Sequence, residues 1–278
     1  MTANYILKEL CRYNIGTFAD VIYRNALLYP DQEAFIYKSQ RITYSEFNAR
    51  VNSLIHALQA MGAKKGDVIG ILSYNCLEYA DVYGAAWKGG FIASPFNFRL
   101  QANELDYLIN YSEANTLFVG PELVDIVNSL KPRLTKVKNL ISLEGSAPDM
   151  IRHDDLLASY PKKEPDVQVE EDDPLAIVYT SGTTGVPRGS LYSHRSSMDD
   201  AKNLVIEMGL QPGEKHIQIN PLFHIGGLHH FRAFLFIAGS NVIMPQRSFD
   251  PAATLQTIQD EKATDISIVP THLVAMLA

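Results

Sequence analysis

The residues best equipped for chemistry lie in one run, IVYTSGTTGVPRGSLYSH, residues 177–194. Thr180, Ser181, Thr183 and Thr184 bring hydroxyl donors, Gly182 and Gly185 bring backbone freedom, and Arg188 brings a fixed positive charge. Glycines let the main chain come close to a ligand. Successive N–H groups in such turns form anion-binding concavities. A guanidinium matches the geometry of phosphate oxygens. This composition points to phosphate as the guest, against the plainer reading of a hairpin tip. Two familiar phosphate loops do not fit. A Walker loop needs Gly-Lys-Ser/Thr running into a helix, whereas Gly182 to Gly189 holds no such run and RGSLYS, 188–193, has the pattern of a strand. The dinucleotide fingerprint G-x-G-x-x-G is absent from the run.

A second candidate is the turn NPLFHIGGL, residues 220–228. By spacing alone His224 reads as a turn histidine satisfied by backbone. Gly226 and Gly227 read either as a plain turn or as room for a substrate or helix. His224, His229 and His230 are close in sequence, but neither H-E-x-x-H spacing nor a neighbouring acid accompanies them, so no metal centre is assigned.

The elements that must position these residues follow from periodicity. Thr43 and Glu46 form a capping box ahead of a helix whose apolar face carries Val51, Leu54, Ile55, Leu58 and Met61. Strands are expected at 67–73, 91–97, 116–120 and 139–143, and helices at 76–88, 102–112 and 121–130. This alternation predicts an α/β protein with parallel-type sheets flanked by helices. The acidic, proline-rich stretch 161–174 reads as an exposed, solvated connector between a first α/β unit, 1–165, and a second, 166–278. In the second, 175–180 and 188–193 should be strands around the loop, with Ser193 capping a helix over 194–209. Strands near 216–219, 241–244 and 265–269 then alternate with helices near 227–237 and 251–262, and a new helix begins before Ala278.

Composition narrows the partners. The chain has 278 residues, 46% hydrophobic and 20% charged, with net charge −7. That balance speaks against nucleic acid as a partner. Cys11 and Cys76 read as reduced core thiols in a cytoplasmic protein, and no signal peptide or transmembrane segment is expected. Trp87 and the aromatic rings of Phe96 and Phe98 read as core.

YTSGTTGVPRG, residues 179–189, closely resembles the signature loop of the AMP-forming acyl-CoA synthetases, members of the adenylate-forming superfamily. Residues 41–72 and 75–120, NPLFHIGGL and SIVPTHLVAML (267–277) resemble other family segments in the same order. The resemblance implies two parallel-type sheets flanked by helices, as in the N-terminal part of the adenylate-forming fold. It implies activation of a carboxylic acid, fatty or aryl, with ATP and Mg2+ to an acyl-adenylate, followed by transfer to coenzyme A. Thr180, Ser181, Gly182, Thr183, Thr184 and Gly185 would hold the β- and γ-phosphates. Arg188 stands where the family usually has Lys. His224 would be catalytic, bordering the acyl pocket or the α-phosphate side. The family's later adenine, ribose and lid-domain segments do not appear before Ala278. The expectation is therefore an N-terminal portion of a synthetase, inactive alone, with an exposed sheet that could favour a homodimer. The alternative is a catalytically silent nucleotide- or acyl-binding module.

Overall fold

The structure is a computed structural model and describes residues 15–180 and 188–278. Its elements, in chain order, begin with α1 (Phe18–Leu28), the hairpin β1 (Glu33–Tyr37) and β2 (Gln40–Thr43), and α2 (Tyr44–Ala60). β3 (Val68–Leu72), α3 (Leu77–Gly89), β4 (Ile92–Pro95), α4 (Ala102–Tyr111), β5 (Thr116–Val119), α5 (Val124–Leu130) and β6 (Asn139–Ser142) give the expected alternation. After β7 (Ile151–Arg152) and α6 (His153–Ser159) come β8 (Pro174–Thr180), β9 (Arg188–Ser193) and α7 (His194–Met208). The remainder is β10 (Lys215–Gln218), α8 (Ile225–Phe236), β11 (Ser240–Ile243), α9 (Pro251–Glu261), β12 (Asp265–Ile266) and α10 (Pro270–Leu277).

Local caps set the helix starts as their residue types dictate. The Thr43 hydroxyl accepts from the Glu46 N–H at 3.2 Å, and the Glu46 carboxylate accepts from the Thr43 N–H at 2.8 Å. Ser193 caps α7 by accepting from the Ser196 N–H at 3.2 Å. Each such cap stabilises its helix by about 1 kcal/mol.

The strands assemble into a seven-stranded sheet, ordered β7-β6-β5-β3-β4-β8-β9, and a five-stranded one, ordered β12-β10-β11-β1-β2. Pairing is parallel except in the hairpins β1–β2 and β8–β9. The sheets do not divide the chain at residue 165. β8 and β9 complete the seven-stranded sheet, and β1, from the N-terminal part, pairs in parallel with β11 in the other. Helix α3 is buried along its whole length, from Leu77 to Gly89. Trp87, Tyr79 and Tyr83 lie in the same apolar cluster as Phe35 and Phe231, which belong to the five-stranded sheet and its helix. Phe96 is buried like Trp87, but Phe98 is only partly buried and stacks on Tyr74 with ring centroids 3.9 Å apart.

The connector is exposed along most of 161–174, as its composition predicts, but it also supplies a structural carboxylate. Lys88, 6% exposed, donates to Glu164 Oε2 at 2.5 Å and to the Asn52 side chain at 2.8 Å. A buried ammonium needs a paired carboxylate, and the acidic connector supplies it. Cys76 is a buried free thiol, and Cys11 lies outside the described residues.

Candidate active site

β8 runs parallel to β4, paired through Ala93 and Ala176, so both strands point their carboxyl ends the same way. The register of the β8–β9 hairpin sets Thr180 opposite Arg188 and Tyr179 opposite Gly189. β8 therefore ends at Thr180 on the carboxyl edge of the sheet, and Arg188, exposed, opens the return strand. Ser181, Gly182, Thr183, Thr184 and Gly185 fall outside the described residues. Tyr179, one residue before the end of β8, has its ring 6.2 Å from Phe96 and 6.4 Å from Tyr111. Burial pushes its phenol up to about 12.

His224 sits on the turn that joins β10 to α8, also at a carboxyl end. Its Nδ1 accepts from the Gly226 N–H at 3.1 Å, capping α8. In the neutral ring the proton is thereby assigned to Nε2. The side chain is exposed at the positive end of a twelve-residue helix, a place that favours an anionic partner. The turn is held from three directions. Asn75, just beyond β3, donates to the Asn220 carbonyl at 2.9 Å and accepts from the Leu222 N–H at 2.8 Å. The Tyr83 hydroxyl donates to the Leu222 carbonyl at 2.6 Å. Asn220 in turn donates to the Ser267 carbonyl at 2.9 Å. Gly227 is required by close approach: a Cβ there would press into the Pro221 carbonyl oxygen and lie 2.8 Å from its carbon.

The segment after β4 bridges the two candidates. Phe96 touches Tyr179 of the hairpin, while the Phe98 ring lies 5.1 Å edge-on to Phe223, next to His224. Tyr74, Asn75, Phe98, Arg99, Pro221, Arg247 and Phe249 are among the residues lining a cavity of about 110 Å³. In the seven-stranded sheet β3 has β4 on one side and β5 on the other, and such reversals open a ligand crevice outside the carboxyl ends. Arg99 lies over the rings of Phe98 and Phe223, at 5.1 and 5.8 Å. Arg247 lies 4.9 Å over Tyr74 and clasps Glu122 at 2.5 Å and Glu144 at 2.9 Å. Burial opposes ionisation of Glu144, but hydrogen bonds from Tyr37, Arg247 and Lys38 outweigh it and hold the carboxyl below its usual range. This clasp ties β1 and the β11 exit to the end of β6.

The three histidines read together from the sequence do not converge. His229 faces Asp200 at 3.3 Å, and His230 faces Asp265 at 3.0 Å, an acid thirty-five positions away. Sequence reasoning did not single out Tyr74, Asn75, Arg99 or Arg247 as site residues. The signal available for them was position, immediately after apolar strands in an α/β alternation. Among the described residues no helix is long and apolar enough to cross a membrane.

Comparison with known proteins shows the family and the fold. The family described as AMP-binding enzyme matches residues 22–278. A feruloyl-CoA synthase of an Amycolatopsis species is 31% identical, over 92% of this chain and 49% of its own length. A long-chain-fatty-acid–CoA ligase of Thermus thermophilus is 28% identical, over 85% of this chain and 43% of its own. The ATP-bound crystal structure of MatB from Rhodopseudomonas palustris superposes with a TM-score of 0.81 at 26% identity, covering 93% of this chain and 51% of that one. The chain thus spans about half the length of the curated relatives it matches. With the signature hairpin and the His224 turn at one edge of the matching fold, the chain belongs to the AMP-binding enzyme family, whose members named here are acyl-CoA ligases.

Proposed function

We propose that this chain forms the ATP- and acid-binding part of an acid–CoA ligase acting on a fatty or aryl acid. In this reading Thr180, Ser181, Gly182, Thr183, Thr184 and Gly185 hold the β- and γ-phosphates of ATP, whose Mg2+ enters with it. Arg188 adds charge where the family usually has Lys. The His224 Nε2–H and the N-terminus of α8 orient the anionic acid or the α-phosphate. The acid's carboxylate then attacks the α-phosphorus, pyrophosphate leaves, and the thiol of coenzyme A later displaces AMP. The role of these residues is positioning and charge neutralisation, the main devices of phosphoryl chemistry.

The observation that carries the reading is the bridge across the carboxyl edge, where Phe96 packs on the hairpin and Phe98 on the His224 turn. The relatives' substrates, ferulate and long-chain fatty acids, bracket the acid class. Arg99 and Arg247, both over aromatic rings at the cavity, suit an anionic cosubstrate such as coenzyme A. A cytoplasmic setting, which supplies ATP and coenzyme A, and a homodimer belong to the same reading. A catalytically silent nucleotide- or acyl-binding module is the second reading, favoured by Arg188 in the lysine position.

Calorimetric titration with Mg·ATP tests the phosphate assignment. Gly182→Val should weaken binding at least about tenfold by blocking backbone approach, and unchanged affinity would refute it. Pyrophosphate release measured across a panel of fatty and aryl acids separates the ligase from the silent module.

A further inference from the structure

Away from the signature loop, three chemistry-bearing side chains meet at the edge of the five-stranded sheet. The β10–β12 register places His216 opposite Asp265, and His230 reaches them from α8. His216 Nδ1 and His230 Nδ1 lie 2.5 and 3.0 Å from the same oxygen, Asp265 Oδ2. One potential ligand atom from each residue lies within 4.8 Å of the others. The imidazole rings stack 5.0 Å apart at 20°, and Phe234 backs His216 at 5.3 Å. The side chains of His216, Asp265 and His230 are 2%, 6% and 13% exposed, so the group is dry but reachable past His230.

Among the described residues the ion-pair partners of Asp265 are these two imidazoles, with no Lys or Arg. A buried carboxylate without a full countercharge is costly. Two imidazole nitrogens converging on one carboxylate oxygen make, together with that oxygen, a donor set that suits zinc and its neighbours rather than magnesium or calcium.

We propose that His216, His230 and Asp265 form a binding site for one divalent transition-metal ion of the zinc class, with water completing the coordination. Metal–ligand bonds of about 2.1 Å in a tetrahedron separate ligand atoms by about 3.4 Å. Asp265 Oδ2 therefore withdraws about 1 Å from His216 Nδ1 to admit the ion. Each neutral imidazole binds through Nδ1 and carries its proton on Nε2. The site is distinct from the phosphate loop and its Mg2+. It clamps β10, α8 and β12, which flank the His224 turn: β10 runs into it, α8 leaves from it, and Ser267 beyond β12 accepts from Asn220.

The test uses the full, tag-free chain, stripped with a chelator and free of nucleotide. Zinc chloride is titrated by calorimetry, and Co2+ is added in parallel to read the visible absorption of a tetrahedral ion. One ion per chain is expected to bind, and His230→Gln should lose at least about tenfold in affinity together with the cobalt bands. His229→Gln, at the half-buried neighbour that faces Asp200 instead, should match wild type in both. Circular dichroism establishes that each variant is folded. Asp265→Asn, which keeps the shape and removes the charge, gives the same loss should His230→Gln fail to fold. Absence of stoichiometric zinc binding, unchanged binding in a folded His230→Gln or Asp265→Asn chain, or displacement of zinc by equimolar Mg2+ each overturns the proposal.

Discussion

Gly227 offers a sharp test of how the His224 turn is held. Alanine at 227 would drive a Cβ into the Pro221 carbonyl, with the carbonyl carbon at 2.8 Å and the Asn220 oxygen at 3.0 Å. Both obstacles are backbone and cannot rotate away. Relief requires α8 to move by about 1 Å, yet Leu228, Phe231, Ala233 and Leu235 on that helix are fully buried. Overpacking of this kind costs about 1–3 kcal/mol, occasionally more, against a helix-propensity gain of up to about 1 kcal/mol for Gly→Ala. The net expectation is a loss of about 1–2 kcal/mol, with displacement of the turn that carries His224. Gly226 is the internal control. A Cβ there meets only the His224 ring, at 3.3 Å, so Gly226→Ala should stay within about 0.5 kcal/mol of wild type or exceed it. Urea unfolding of the three proteins decides the matter. If Gly227→Ala is as stable as Gly226→Ala, the close-approach argument is wrong.

Two further predictions follow from other parts of the fold. His194 is buried at the first turn of α7, and its Nδ1 accepts from the Phe18 N–H at 3.1 Å. Burial lowers its pKa from 6.5 to about 4. The unfolded chain therefore binds the proton first as pH falls, and stability present above pH 6.5 is lost on the way down to about 4. At pH 5 this one group accounts for about 2 kcal/mol. Chemical denaturation at pH 7.5 and 5 should show that much less acid sensitivity in a folded His194→Gln chain, and equal sensitivity refutes the assignment. Asn75→Ala removes both hydrogen bonds that tie β3 to the turn and leaves the Leu222 N–H without its acceptor. A loss of about 1–3 kcal/mol is expected in urea unfolding. Asn75→Asp keeps the acceptor and should lose less, while an unaffected Asn75→Ala would mean that the clasp carries no energy.

Much of the architecture was legible because its causes are local. The Thr43–Glu46 capping box, the Ser193 cap and the apolar strands at 68–72, 92–95 and 116–119 are each determined by a few adjacent residues. The 33–43 hairpin and helix α1 were not read, although Thr17 and Asp20 form a capping box as regular as the one at Thr43. β12 was expected to continue to Val269 and stops at Ile266, two residues being enough to pair with β10 at an edge.

The strands flanking the hydroxyl-rich run were determined by the sequence itself, since a hairpin register needs only neighbouring residues. That same run, with the segments around it, sufficed to suggest the family. Which distant groups meet was decided by tertiary structure alone. Asn75 reaches Asn220 across 145 positions, β1 pairs with β11, and His216, His230 and Asp265 come from three separate elements. No local periodicity encodes such meetings. They follow from packing two sheets around one buried helix, which brings together side chains that the chain order keeps apart.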